Sequence, residues 1–335
     1  MNTSVFENYD ITAHNTFGVS ATVAKFITLT EPIPLVESIT DPFVVLGRGS
    51  NILFATEYWP GTVIFPQFFG KKNISQDQYS VLIKVQSSEL WADVVRWSVA
   101  QGFGGAENLT DIPGTVGGAM AQNIGAYGVE IASLVESITI MDVYSGEIKT
   151  LSHDECDFAY RSSVIKNNHH QIVCSAVLRL TRDKHALKTH YKGINEYLSQ
   201  HDLSASPQSI SRAVSEIRAS KLPDAKTTGN AGSFFKNPVI TLSQLSELQK
   251  TLPDIPFFPQ KNKSMVKIPA AFLLEKTGWK NAREGRVGTA KNQSVVLVNY
   301  GGATGEEIFS FSKKIQQNIA ERFNITLEPE VLIIQ

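Results

Sequence analysis

Apolar positions along the chain fall into short runs separated by polar turns, and two periods are present. Phe43-Val44-Val45-Leu46 reads as a strand that stops at Gly47-Arg48-Gly49-Ser50-Asn51. Thr62 to Phe65, Val81 to Val85 and Ile172 to Leu180 are further strand candidates. Residues 138 to 151 read as a hairpin turning at Tyr144-Ser145-Gly146-Glu147. Residues 88 to 101 follow the helical period instead, with Leu90, Val94 and Trp97 expected on one face.

The pattern changes at residues 182 to 206, a polar stretch with several His and Lys, where a domain junction is expected. Beyond it the helix signals are clear. Ser206-Pro207 supplies an N-cap and a first-turn proline, for a helix running to about Ser220. Thr241 is placed to cap a second helix, and Pro269 to Thr277 makes a third, closed by Gly278. Val295 to Asn299 is a strand, Thr304-Gly305-Glu306-Glu307 is a capping box opening a helix to Phe323, and Val331 to Ile334 is a last short strand. Strands and helices mix without strict alternation, which predicts an α+β fold rather than a doubly wound sheet.

Length and composition narrow the possibilities. A chain of 335 residues predicts two or three domains. A formal net charge of -1 gives no global electrostatic case for nucleic acid or an anionic membrane as partner. No apolar run approaches the ~20 residues that span a bilayer, and the N-terminus lacks the pattern of a secretory signal. Cys156 and Cys174 form no CxxC pair and are expected as free thiols in a reducing cytoplasm. The seven histidines show no metal-binding spacing, so no metal site is assigned.

Two glycine-rich segments carry the candidate chemistry. Gly47, Arg48, Gly49, Ser50 and Asn51 follow a strand, and consecutive amides in such a turn make an anion-binding nest; a tight surface turn is the equal alternative. The dinucleotide fingerprint would need Gly at 52, which is Ile, so a Rossmann reading fails. Residues 102 to 128 form a long stretch without an obvious element. Its apolar anchors argue against disorder, leaving a backbone-lined groove for an extended cofactor or a packed glycine loop.

Together with other segments these residues resemble the UDP-N-acetylenolpyruvoylglucosamine reductases. The segments are Asn15-Thr16-Phe17-Gly18, Gly47 to Asn51, Glu107-Asn108-Leu109 with Ile112-Pro113-Gly114, Gln122 to Gly128, and Tyr160-Arg161. Lys221-Leu222-Pro223-Asp224, Asn230-Ala231-Gly232-Ser233-Phe234-Phe235-Lys236-Asn237-Pro238 and Glu328-Pro329-Glu330-Val331 follow in family order, and the nine-residue run ending at Pro238 is very specific. The resemblance implies a two-lobed FAD-binding region of the p-cresol-methylhydroxylase type and a C-terminal α+β substrate domain. Residues 1–60 with the returning strand 325–335 would form the first lobe and 61–182 the second. Residues 183–206 would be the junction and a lid, and 207–324 the substrate domain. FAD would be held by Gly47, Arg48, Gly49, Ser50, Asn51, Asn108, Ile112, Pro113, Gly114, Gly117, Gly118, Gln122, Asn123, Gly125 and Ala126. The family's catalytic trio falls on Arg161, Ser233 and Glu330. Its substrate contacts fall on Tyr127, Lys221, Asn237, Lys280 and Gln293, with Tyr191 in the place of a substrate-covering tyrosine. One departure stands out. The family usually follows Tyr-Arg with an acidic residue and then Ser, whereas this chain has Ser162-Ser163, which bears on how Arg161 is oriented.

The implied reaction is NADPH-dependent reduction of an enolpyruvyl UDP-sugar in peptidoglycan precursor synthesis. Hydride passes from NADPH through flavin N5 to the terminal vinyl carbon, and charge builds on the adjacent carbon and its carboxylate. A guanidinium such as Arg161 grips a carboxylate with two hydrogen bonds, where a lone surface Arg would contribute little. Ser233 can protonate an enolate carbon, or be a turn serine. Glu330 polarises the carboxylate if burial keeps it protonated, or is an exposed strand-end acid. The rival functions are another FAD-linked sugar or alcohol oxidoreductase of the same fold, and a non-catalytic flavin-binding protein.

Overall fold

The strand and helix signals above become two units, described separately below; the computed structural model describes residues 3–35, 39, 41–191 and 193–335. The first unit comprises residues 1–9, 23–48 and 60–220, the second residues 10–22, 49–59 and 221–335.

In the first unit, a five-stranded antiparallel sheet runs in the order Ile148–Ser152, Val135–Asp142, Gln171–Thr181, Ser80–Gln86, Lys71–Gln76. Alternation along Ser80–Gln86 sends Val81, Ile83 and Val85 to the core and Leu82, Lys84 and Gln86 outward. The helix Trp91–Ala100 covers that face with Trp91, Val94, Val95 and Ser98, while Leu90 caps its start and is exposed. The expected stripe through Leu90 and Trp97 is thus rotated by one position. The helix begins at Trp91, whose indole is fully buried and donates from Nε1 to the Leu109 carbonyl at 3.0 Å. A second sheet in the order Thr3–Asp10, Thr22–Leu29, Tyr58–Pro66, Phe43–Val45 lies with the core of Ile27, Leu29, Ile64, Met141, Val143 and Ile172.

Residues 102 to 128 differ from the elementless loop the sequence suggests. They hold a 3-10 turn Glu107–Leu109, a helix Val116–Gln122 and a small hairpin of Gly125–Ala126 with Val129–Glu130. Two glycines make this helix a poor one by propensity. It forms because Thr115 Oγ1 caps the Gly118 amide at 3.3 Å and because Val116, Ala119 and Met120 are buried against Gln171–Thr181. The polar stretch after residue 182 likewise contains a short helix, Ile194–Gln200, which buries Ile194 and Leu198 against Ile210 and Val214 of the helix Pro207–Lys221.

In the second unit, an antiparallel sheet runs Gly229–Ser233, Gln293–Asn299, Val287–Ala290, Arg283–Glu284. The helices Ala270–Lys276 and Gly305–Phe323 bury Leu273, Leu274, Ile308, Phe311, Ile315 and Ile319 in one core with Phe17, Phe234 and Leu297. Each such side chain, fully buried, contributes about 1.5–3 kcal/mol. Thr304 makes the capping box the sequence predicts, with Glu307, and Thr241 the predicted cap, to which Gln244 adds a box. The last strand, Leu332–Ile334, pairs in parallel with Ile52–Phe54.

Candidate active site

In the first unit the candidate residues converge on the turn that carries Arg161. Ala159 and Ser162 exchange backbone hydrogen bonds of 3.0 and 3.1 Å, and between them Arg161 adopts φ +54°. A non-glycine residue in that left-handed region costs about 1–2 kcal/mol, so the surroundings must enforce it. Several contacts do so. Arg161 donates from Nη2 to the Gly125 carbonyl at 3.0 Å and, more weakly, from Nη1 to the Asn123 carbonyl at 3.5 Å. Buried Asn123 donates from Nδ2 to the Ala159 carbonyl at 2.8 Å, and its Oδ1 accepts from the Ala132 amide at 3.2 Å. Buried Ser163 donates to the Ala121 carbonyl at 2.8 Å and caps the helix Val164–Asn167 by accepting from the Lys166 amide at 3.3 Å. Ser162 enters through its backbone, and Arg161 is oriented by carbonyls of the glycine segment.

Asn108 is fully buried at the 3-10 turn. Its Nδ2 donates to the Tyr127 and Lys188 carbonyls, both at 2.9 Å. One amide thus ties the Tyr127 turn to the segment that leads to Tyr191, and the two tyrosine rings meet edge to face with centroids 5.0 Å apart. Tyr127 itself sits at φ +50°. Burial raises its pKa, opposed by the charge of nearby Arg218, whose own pKa burial lowers.

Arg218 is a residue the sequence reading missed. Its signal was a polar stripe on the helix Pro207–Lys221. Ser211 Oγ lies 2.8 Å from Thr110 Oγ1, Ser215 Oγ donates to Asp111 Oδ2 at 2.6 Å, and Arg218 follows on that face beside Tyr127.

The remaining glycine-segment residues form a floor in the same unit. A Cβ on Gly47 would lie 2.7 Å from Thr115 Oγ1, and one on Gly117 would lie 3.1 Å from Ser87 Cβ. Side chains there are excluded by packing. Gly118 has only Thr115 Oγ1 within 4 Å of such a position, at 3.6 Å. The amides of Gly47 and Arg48 donate to no other backbone group among the described residues, and Ser87 Oγ is buried without a protein partner. Ile112 packs against the sheet core, Gly114 accepts from the Trp91 amide at 3.0 Å, and Ala126 pairs with Val129. Pro113 precedes Gly114 at φ +111°.

In the second unit, Ser233 ends the strand Gly229–Ser233, and the next residues pair with the segment before the last strand. The Glu330 amide donates to the Phe234 carbonyl at 2.7 Å, Phe235 bridges Pro329, and the Lys236 amide donates to the Glu328 carbonyl at 2.9 Å. Ser233 and Glu330 are therefore neighbours on adjoining segments, both half-buried. Asn51 donates from Nδ2 to the Glu330 carbonyl at 3.1 Å. Gly49, at φ +64°, lies so close to His14 and Asn15 that a Cβ would fall 2.0 Å from the His14 carbonyl oxygen, and Ser50 follows it half-buried. Asn237 Oδ1 accepts from the Ala270 amide at 2.9 Å at the start of a helix. Gln293 opens the strand Gln293–Asn299, Lys221 is exposed at a helix end, and exposed Lys280 lies 3.4 Å from Glu275.

Comparison with known proteins resolves what this geometry belongs to. Residues 223–334 match the model of the UDP-N-acetylenolpyruvoylglucosamine reductase C-terminal domain, and residues 36–152 match an FAD binding domain. The UDP-N-acetylenolpyruvoylglucosamine reductase of Flavobacterium johnsoniae is 39% identical over 98% of both chains. That of Porphyromonas gingivalis is 37% identical over 98% of both, and that of Pseudomonas aeruginosa 36% identical over 98% of this chain and 99% of its own. The chain belongs to the UDP-N-acetylenolpyruvoylglucosamine reductase family. A solved reductase of this kind from Thermus caldophilus shares the fold, with a TM-score of 0.68 at 21% identity and full coverage of both chains.

Membership makes the chain an FAD-dependent oxidoreductase, α+β, with an FAD-binding domain and a C-terminal reductase domain. The first unit's floor fits that cofactor: glycine faces without side chains, amides at Gly47 and Arg48 that donate to no backbone carbonyl among the described residues, and a Ser87 hydroxyl without a partner among them. Among the described residues, no helix is long and apolar enough to cross a membrane.

Proposed function

We propose that the chain reduces UDP-N-acetylglucosamine enolpyruvate to UDP-N-acetylmuramate with NADPH as the hydride source, the step that makes the lactyl ether of peptidoglycan precursors. FAD, when bound, supplies the route by which hydride from NADPH reaches the vinyl carbon. Gly47, Arg48, Gly49, Ser50, Asn51, Asn108, the Ile112–Gly118 segment and Gln122 to Ala126 hold it.

The observation that carries this reading is the pair Ser233 and Glu330, fixed side by side by the 2.7 Å bond between the Glu330 amide and the Phe234 carbonyl. Ser233 donates the proton to the carbon next to the carboxylate. Glu330 works on that carboxylate from the neighbouring segment. Arg161, held in its strained turn, contributes the guanidinium that grips the carboxylate as charge develops, and one such donor is worth about 10²–10³ in rate. Tyr127, Lys221, Asn237, Lys280 and Gln293 bind the sugar nucleotide, and Tyr191 covers it. Residues 183–206, with the Lys188 carbonyl held by Asn108, act as the covering strap. A cytoplasmic location fits UDP-sugar and NADPH as substrates, and the formal net charge of -1 supports a reading without nucleic acid or an anionic membrane as partner.

The test is an anaerobic two-step titration of the FAD-loaded protein. NADPH should bleach the flavin absorbance and the enolpyruvyl UDP-sugar should restore it stoichiometrically. A flavin that NADPH bleaches but only oxygen or a simple alcohol–carbonyl pair recolours would point to a different oxidoreductase. One that NADPH never bleaches would mark a binding protein.

A further inference from the structure

Beside the Arg161 turn stands a cation with no part in the reading above. Lys166 lies in the short helix Val164–Asn167, half-buried. Its ammonium donates to the carbonyl oxygen of Arg161 at 3.0 Å and to Oε1 of Gln122 at 2.9 Å. Gln122 is the last residue of the helix that ends the glycine segment. The same segment supplies the Gly125 carbonyl that receives the Arg161 guanidinium. One ammonium thus joins the backbone of the Arg161 turn to the element its side chain leans on.

We propose that Lys166 is the positioning residue of Arg161, keeping its peptide in the left-handed conformation and its guanidinium in register with the glycine segment. The inference rests on the reading of Arg161 as the group that grips the substrate carboxylate. Its physical basis is the backbone. At φ +54° Arg161 occupies a state that β-carbon sterics oppose, and such a state persists only when neighbours over-determine it. The Ala159–Ser162 pairing closes the turn on itself, and Asn123 and Ser163 tie its flanks to the glycine segment. The ammonium adds a tie at the carbonyl of Arg161 itself: three donors on a flexible stem serve two acceptors on different elements at once. The role falls on Lys166 and not on a neutral side chain because hydrogen bonds from a charged donor are roughly twice as strong as neutral ones.

The experiment uses the full-length FAD-loaded protein in anaerobic stopped flow and follows each half-reaction separately for Lys166→Met, Arg161→Ala and the double variant. Misplacing a catalytic group by about 1 Å costs on the order of 10²-fold. Lys166→Met should therefore slow flavin reoxidation by the enolpyruvyl UDP-sugar about ten- to a hundredfold, with flavin reduction by NADPH within about twofold of the parent. In the Arg161→Ala background Lys166→Met should add no further loss, since its effect passes through the missing guanidinium. Lys166→Gln, which keeps neutral donors, should fall between parent and Met. If Lys166→Met loses FAD or its folded spectrum, Lys166→Gln is carried through the same cycle in its place. Equal losses from the Lys166 substitution in both backgrounds would overturn the inference, as would an unchanged reoxidation rate in Lys166→Met alongside a collapsed one in Arg161→Ala; either result leaves the role of Arg161 standing. Normal reoxidation in Arg161→Ala would instead remove the reading on which the inference rests.

Discussion

Asn51 donates from Nδ2 to the carbonyl oxygen of Glu330 at 3.1 Å, across 279 positions of sequence. The Glu330 amide in turn donates to the Phe234 carbonyl at 2.7 Å, so both faces of this residue's backbone are held. The Leu332 amide donates back to the Asn51 carbonyl at 3.0 Å, which makes the tie reciprocal. A segment just before a three-residue terminal strand would otherwise fray. Asn51→Ala removes the side-chain donor and leaves the rest. The expected cost is about 1 kcal/mol in stability and on the order of tenfold in flavin reoxidation by substrate. Steady-state kinetics beside a thermal melt would check it: unchanged turnover would mean the carboxyl of Glu330 does not depend on this anchor.

Ser233→Ala separates chemistry from architecture. The hydroxyl lies at a strand end whose neighbours, Phe234 and Phe235, are buried, so the fold keeps its packing when Oγ is removed. Flavin reduction by NADPH should survive, and reoxidation by the enolpyruvyl UDP-sugar should slow by orders of magnitude. Equal loss of both half-reactions in stopped flow would make Ser233 structural.

Asn108→Ala should act on substrate binding through the covering segment. Two part-buried hydrogen bonds, to the Tyr127 and Lys188 carbonyls, are lost, each worth about 0.5–1.5 kcal/mol. The Tyr127–Tyr191 ring pair loosens with them. The KM for the sugar nucleotide should rise about tenfold, equivalent to about 1.4 kcal/mol, with NADPH reduction of the flavin little changed. A variant with the parent KM would show that the Tyr191 segment is held by other contacts.

Much of this was legible in the sequence, for reasons that particular residues make plain. Caps are local chemistry, so Thr241, and Thr304 with Glu307 at the third helical position, marked helix starts correctly. The parallel pairing of the last strand with Ile52–Phe54 was not legible as geometry, because nothing local encodes a partner almost the whole chain away. The helix Val116–Gln122 was missed because Gly117 and Gly118 argue against helix, and only burial against a distant strand reverses that preference. The motif around Ser233 marked candidate chemistry, while the Glu330–Phe234 bond that makes a pair of Ser233 and Glu330 needed the fold. Lys166 lies in no motif that sets it apart from a solvated lysine, and Arg218 shows only as part of a polar stripe with Ser211 and Ser215 on one helix face.

Gly305→Ala probes a close backbone approach. At the first residue of the long helix Gly305–Phe323, a Cβ would fall 1.7 Å from the Phe54 carbonyl oxygen and 2.9 Å from the Ala55 Cα. Backbone cannot swing aside as a side chain can, so the helix or the strand must shift. Overpacking of this kind costs about 1–3 kcal/mol, and the melting temperature should drop by several degrees. Gly278→Ala is the control: it sits at φ +85° with nothing within 4 Å, so conformational strain acts there without collision. A smaller loss at Gly305 than at Gly278 in paired melts would sink the packing argument.

The two buried thiols give the stability a pH signature. Burial pushes Cys156 and Cys174 up to about 11 from an ordinary value near 9. Between these limits the folded state keeps protons that the unfolded chain has released, so unfolding releases protons and is favoured by rising pH. The stabilisation is complete below pH 9 and is lost progressively as pH rises through about 11. The native protein should therefore resist thiol reagents at pH 8 and react fully in denaturant. The double variant Cys156→Ala, Cys174→Ala, which removes the titrating groups, should show a shallower decline in melting temperature between pH 9 and 11 than the parent. Lysines and tyrosines titrate in both proteins, so the difference between the two curves isolates the thiols, and superimposable curves would mean that neither thiol keeps its proton through burial.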